Sequence, residues 1–233
     1  MDGDRRLGAR GGHYRSGLNS IPVIERYRAH PDDVYLLVVG VAGILACLPN
    51  IDIQGAPSMA FHTHPFIHAH DPNSGDHGLA FFGSSLNAAS YVHNHSTLGL
   101  LCFLCDAAPT GGASVVVTPR DTYRIRAFIE PLGLWLVAEA GRFASFTVGP
   151  PNGASGTVTV TFESQADAAA AAGSSAAPYV NLRLRVEASA PDTRPFSFAM
   201  PGASVVRGAY EFAPNADVHA ATVATISWSR TAA

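Results

Sequence analysis

Apolar and polar residues swap places at every step of Val180-Asn181-Leu182-Arg183-Leu184-Arg185-Val186. Such a segment satisfies both residue classes only as a strand with one face buried and the other wet. The same two-residue period surrounds Arg124 and Arg126, which alternate with Tyr123, Ile125 and Ala127. Segments of this kind recur along the chain at residues 58–64, 79–82, 90–93, 99–104, 114–118, 122–129, 132–139, 143–148, 157–162, 179–187, 204–212 and 221–228. Turn residues separate them, as in Pro72-Asn73-Ser74-Gly75 and Gly149-Pro150-Pro151-Asn152-Gly153. No long amphipathic helix interrupts the series. Strands at regular spacing without intervening helices predict an all-β fold, an antiparallel β-sandwich whose two sheets bury their apolar faces against each other.

The beginning of the chain reads differently. Residues 1–33, rich in arginine and glycine, are expected to form a flexible tail ahead of one sandwich domain at residues 34–233. Residues 34–48, VYLLVVGVAGILACL, carry no charge but fall short of the roughly 20 residues a membrane span needs. Asp32-Asp33 in front of the run has the wrong sign for a signal peptide, although Ile44-Leu45-Ala46-Cys47 loosely resembles a lipoprotein cleavage site. The β-branched and glycine content instead predicts a buried strand, or two strands broken between Gly40 and Gly43. Residues 166–178, ADAAAAAGSSAAP, are low-complexity, and five alanines before Gly-Ser-Ser sustain no useful helix, so a flexible loop is expected there.

Hydrophobic residues make up 47% of the chain, ample for a core, while charged residues make up only 14%. The basic residues are all arginine and are scattered over a chain of net charge −3, which excludes the basic stripe of a nucleic-acid-binding face. Three cysteines, Cys47, Cys102 and Cys105, cannot all pair within the chain, so this is not a disulfide scaffold. Cys102 and Cys105 form a Cys-x-x-Cys, but the apolar run Leu100-Leu101-Cys102-Phe103-Leu104-Cys105 reads as one buried strand. Positions three apart on a strand face opposite sides, which favours core packing over joint metal binding or redox chemistry.

The histidines carry the strongest chemical signal. Seven of ten fall between His62 and His95, and six of them form the pairs His62/His64, His68/His70 and His93/His95. Residues i and i+2 of a strand share a face, so each pair can aim two imidazoles at one point. Imidazole is the commonest protein ligand for zinc, and His62, His64, His93 and His95 are the candidate ligands for zinc or another divalent metal. Pro65 breaks the first stretch into a bend that could bring two pairs together. The competing assignment is structural: strand-end histidines hydrogen-bonded to backbone, with no cofactor.

Other signals are weaker. Asp71-Pro72-Asn73-Ser74-Gly75-Asp76-His77-Gly78 resembles the start of a calcium loop, but Phe82 stands where the closing bidentate glutamate belongs. Glu130, Glu139, Asp106 and Asp121 are available carboxylates, and nothing in their spacing selects two for acid/base work. No serine elbow, phosphate loop or dinucleotide fingerprint is present.

A set of blocks resembles a known family. They include Leu48-Pro49-Asn50-Ile51-Asp52, Asp71-Pro72-Asn73-Ser74-Gly75-Asp76-His77-Gly78, Tyr91-Val92-His93-Asn94-His95, Val117-Thr118-Pro119-Arg120-Asp121-Thr122-Tyr123-Arg124, Ile129-Glu130-Pro131-Leu132-Gly133-Leu134-Trp135 and Arg207-Gly208-Ala209-Tyr210-Glu211. Together they resemble the N-terminal part of an uncharacterised family of large bacterial and fungal proteins related to the six-hairpin glycosidases. The resemblance implies a supersandwich-like domain that packs on an (α/α)₆ barrel bearing the catalytic carboxylates, in a secreted or extracytoplasmic protein. It implies no catalytic residue here, because the chain is expected to stop where that barrel would begin.

Three functions from different classes follow as expectations. The first is a sandwich domain, non-catalytic alone, of a glycoside-hydrolase-like, carbohydrate-associated protein, with a barrel domain or a carbohydrate as partner. The second is a sandwich or cupin-like metalloprotein using the His-x-His pairs, although His68-Ala69-His70 replaces the glutamate a cupin places after its first pair. The third is a carbohydrate-binding module stacking sugar on Trp135, Trp228, Tyr91 or Tyr210. The tryptophans lie in apolar strand segments, which predicts core placement. Neither nucleic acid nor a membrane span is expected.

Overall fold

A computed structural model of the chain describes residues 13–46, 79–110, 113–121, 123–150, 155–164, 182–188, 196–199, 204–206, 209–212 and 223–230. The chain divides into two compact units, Met1–Ala88 and Ala89–Ala233.

The first unit is helical in its described residues. Helix α1 (His13–Ala29) buries Gly17, Ser20, Ile24 and Tyr27, whose spacing of three or four residues lines one face. Four residues later Asp33 accepts the Tyr35 N–H at 3.2 Å and caps helix α2 (Val34–Leu45). That helix buries Leu37, Gly40, Val41 and Ile44. A Cβ on Gly40 would lie 2.4 Å from Ile24 Cδ1, so the absent side chain is what lets α1 and α2 close on each other. Helix α3 (Leu79–Asn87) packs on α1 through Gly83, where a Cβ would lie 1.7 Å from the Gly17 carbonyl oxygen.

These helices correct three local expectations. Residues 34–48 were expected as strands, residues 79–82 as a strand and residues 1–33 as a tail, yet Val34–Leu45, Leu79–Asn87 and His13–Ala29 are helical. Periodicity cannot separate a short buried helix from a buried strand. The weaker helix propensity of valine and isoleucine, a few tenths of a kcal/mol each, yields to packing. In α1 the buried face is written in glycine, serine, isoleucine and tyrosine, a pattern too mixed to announce itself. None of the described helices is long and apolar enough to cross a membrane. The strand expected at residues 58–64, the loop at 166–178 and Cys47 lie outside the described residues.

The second unit is the expected all-β sandwich. Its strands are β1 (Ser90–His95), β2 (Gly99–Phe103), β3 (Cys105–Pro109), β4 (Val115–Pro119), β5 (Arg126–Ile129), β6 (Leu134–Ala140), β7 (Phe143–Val148), β8 (Ser155–Phe162), β9 (Leu182–Ala188), β10 (Phe196–Ala199), β11 (Ser204–Val206), β12 (Ala209–Phe212) and β13 (Val223–Arg230). One sheet has seven strands in the order β11-β12-β9-β6-β5-β1-β2, and the other has six in the order β10-β13-β8-β7-β4-β3. Neighbours are antiparallel except β1 and β5, which run parallel.

The core lies between the sheets. Phe143, Phe146 and Phe162 from the six-stranded sheet meet Leu134, Leu136 and Leu184 from the other. The Phe143 and Phe162 ring centroids are 5.8 Å apart, within the range where aromatic rings attract. Leu182 and Leu184 point into this core, while Arg183 and Arg185 take the other face of β9 and pair with Glu139 at 3.6 and 3.3 Å. On that same face of the sheet, away from the core, Tyr91, Phe128 and Trp135 stack across β1, β5 and β6, all buried. Trp228 is also buried, seated over Gly156 on the neighbouring strand, where a Cβ would meet the indole at 2.7 Å. Trp135 and Trp228 are therefore buried, as their apolar strand context predicted, and neither they nor the buried Tyr91 make an exposed sugar-stacking platform.

Three of the chain's seven changes of sheet, between β2 and β3, between β4 and β5, and between β6 and β7, each carry a residue at positive φ: Leu104 at 58°, Arg124 at 52° and Gly141 at 96°. For leucine and arginine this region is strained, so the corners are held by what surrounds them. Arg120 N–H donates to the Leu104 carbonyl at 2.8 Å, and Phe143 N–H to the Arg124 carbonyl at 2.7 Å. The Leu104 corner corrects the reading of residues 100–105 as one strand. Strands β3 and β10 were not expected from the sequence; β3, Cys105-Asp106-Ala107-Ala108-Pro109, is largely exposed and has no alternation to betray it.

Candidate functional site

Strand β1 places the histidine pair that the structure describes. On its one side β1 pairs with β2 so that His93 faces Leu101 and His95 faces Gly99. On its other side the parallel register sets Val92 beside Ile129, so the next residue of each strand, His93 and Glu130, come together. Glu130 opens a 3₁₀ turn (Glu130–Leu132) that Pro131 starts and Gly133, at φ 60°, ends. The Glu130 carboxylate accepts the Asn94 N–H at 3.1 Å and stands 3.8 Å from His93 Nδ1. Both side chains are nearly buried, so this contact of imidazole and carboxylate sits where water screens it little.

His95 has a different task. The β1–β2 hairpin turns through Ser96, Thr97 and Leu98, and Gly99 at φ 73° completes it. His95 Nδ1 accepts the Thr97 N–H at 3.1 Å and the Leu98 N–H at 3.2 Å. An imidazole nitrogen that accepts these bonds carries no proton, so in the neutral ring the proton is on Nε2. A metal on either nitrogen would then take the ring away from the turn. The His93 and His95 ring centroids are 6.1 Å apart, so the pair is adjacent, as the strand period required. Among the described residues no three histidine, cysteine, aspartate or glutamate side chains gather as a metal ligand set. His62, His64, His68 and His70, and the calcium-like loop at residues 71–78, lie outside the described residues.

The sequence reading missed a second polar group, at the Arg124 and Gly141 crossings. Arg124 donates to Glu163 Oε1 at 2.7 Å, and Arg142 Nε lies 3.6 Å from Glu163 Oε2. Asp121 Oδ1 accepts the amides of Tyr123 at 3.0 Å and Arg124 at 2.7 Å, which holds the chain in the conformation that puts Arg124 at positive φ. Burial pushes the Asp121 carboxyl above its ordinary value, and the two amides oppose this. Glu163 follows the alternating strand β8 and gave no sign of its partner, because Arg124 is 39 residues away.

The model of a family of unknown function, DUF5695, matches residues 4–200. The chain belongs to this family. No curated protein and no solved structure matches it. The DUF5695 match spans both the described helices of the first unit and the strands of the sandwich through β10.

Proposed function

We propose that the chain is a non-catalytic sandwich domain of a carbohydrate-associated, glycosidase-like protein, whose catalytic groups belong to an (α/α)₆ barrel. One observation carries this reading. Each buried carboxylate among the described residues serves the fold: Glu130 faces Asn94 and His93, Glu163 pairs with Arg124, and Asp121 holds its own turn. Two carboxylates opposed across a cleft, which glycoside hydrolysis needs, are not among them. The resemblance of the Asp71 to Gly78, Tyr91 to His95 and Ile129 to Trp135 blocks to the six-hairpin glycosidase relatives supports the carbohydrate association.

The test is to incubate the purified chain with chromogenic glycosides and with a polysaccharide panel, following chromophore and reducing-end release together with binding. No release is expected, and retention of the chain on a polysaccharide gel supports the association. Hydrolysis that copurifies with the chain and disappears in Glu130→Gln contradicts the non-catalytic reading.

A further inference from the structure

Cys102 and Cys105 sit on either side of the strained corner at Leu104. Cys102 belongs to β2, the edge strand of the seven-stranded sheet, and Cys105 opens β3, the edge strand of the six-stranded sheet. In one continuous strand their side chains would diverge. The corner cancels that divergence. Val92 stands opposite Cys102 on β1 and is part of the core, so Cys102 turns toward the space between the sheets, where Cys105 also packs.

The two thiols differ in their surroundings. Cys105 is buried, with Sγ 3.4 Å from the Phe103 carbonyl and 3.7 Å from the Tyr91 carbonyl. Cys102 is half-buried, on the edge strand of its sheet. Interaction with the Cys105 thiol holds Cys102 below the ordinary thiol range. That same interaction, together with burial, pushes Cys105 up. A less buried, more acidic thiol backed by a buried protonated one is the division of labour of an attacking and a resolving cysteine.

We propose that Cys102 and Cys105 are a redox site: a dithiol that closes reversibly to an intrachain disulfide across the sheet-to-sheet corner by exchange with a small-molecule disulfide. Cys102 thiolate attacks one sulfur of the small disulfide, whose S–S bond breaks as the other half leaves as a thiolate. The departing thiolate takes up the Cys105 proton. Cys105 sulfur then attacks Cys102 Sγ, forming the internal bond and expelling the second small thiol. Two protein thiols lose two electrons and two protons, and one small disulfide becomes two thiols. The ring closed is so short that it constrains the unfolded chain little, so the bond acts as a switch at the corner more than as a staple. The strained Leu104 lies between the two cysteines and is the backbone feature that turns both toward the space between the sheets.

The experiment uses the full chain with Cys47→Ala, so that two cysteines remain, equilibrated in glutathione buffers of graded ratio and trapped by alkylation. Chymotrypsin cleaves after Phe103 as after the chain's other aromatic residues, so the two peptides that meet at that bond, one half with each cysteine, stay joined only through a disulfide. The expected result is joined halves in oxidising buffer, separate alkylated halves in reducing buffer, and full reversal between them. In the same chain with Cys105→Ser, a glutathione adduct is expected to accumulate on Cys102. In the reduced parent, iodoacetamide is expected to label Cys102 about tenfold faster than Cys105 at neutral pH. Should Cys105→Ser fail to fold, the joined halves and the labelling ratio of the parent decide. Two freely alkylated thiols throughout the oxidising range, or faster labelling of Cys105, overturn the proposal.

Discussion

In the first unit helices meet at glycines, with Gly83 set against the Gly17 backbone and Gly40 against Ile24, whereas in the second the sheets meet through Phe143, Phe146 and Phe162. The two interiors are close-packed in opposite senses. The helical contacts leave no room for one more carbon, while the sandwich depends on large rings that nothing nearby could replace. The first is vulnerable to added atoms and the second to lost ones.

Substitutions of opposite kind test that contrast. Phe146→Ala removes a fully buried ring and is expected to cost about 3–5 kcal/mol, read as a lower urea midpoint. Gly83→Ala is expected to cost about 1–3 kcal/mol, even though alanine is the better helix former by about 1 kcal/mol. Gly40→Ala should cost less, because the atom in its way is the end of the Ile24 side chain and can rotate aside. A neutral or stabilising Gly83→Ala would break the comparison.

Polar groups sharpen it next. Glu130→Gln keeps the shape but weakens the acceptor of the Asn94 N–H and removes the charge facing His93, for an expected loss of about 1–3 kcal/mol. A loss near zero would show that the pair contributes nothing to the fold. Asp121 gives the smallest effect and one that depends on pH. Its folded carboxyl is raised above the ordinary value near 3.8, so the native state holds the proton more tightly than the unfolded chain. That contribution to stability is fully present below the unfolded value and is lost as pH rises through the folded one. Asp121→Asn retains an oxygen for the Tyr123 and Arg124 amides and cannot titrate. Its stability relative to the parent should therefore rise across that window and level off above it, and a difference independent of pH contradicts the shift.

What could be read in advance follows the same division. Strands such as β8 and β9 show their alternation in sequence because one side faces the core and the other does not. Residues 34–48 show no alternation, and an all-apolar run fits a buried helix as well as a buried strand until Asp33 is seen capping it. At the site, His93 and His95 were legible as a pair because i and i+2 share a strand face. Glu130 was not, since only the parallel register of β1 and β5, set by non-local packing, brings it beside His93. The Cys102 and Cys105 thiols were expected on opposite faces. A leucine at φ 58° reversed that, and no rule of composition or period foretells a leucine in a glycine's conformation.

We propose that His93 and His95, the described members of the histidine cluster, hold the chain rather than a metal. Elemental analysis of the purified chain, paired with a zinc titration of the parent and of His95→Ala, addresses it most directly. No stoichiometric zinc is expected in either protein, and His95→Ala should lose about 1 kcal/mol of stability through the two turn bonds. One tightly bound zinc per chain, absent from His95→Ala, would contradict the claim.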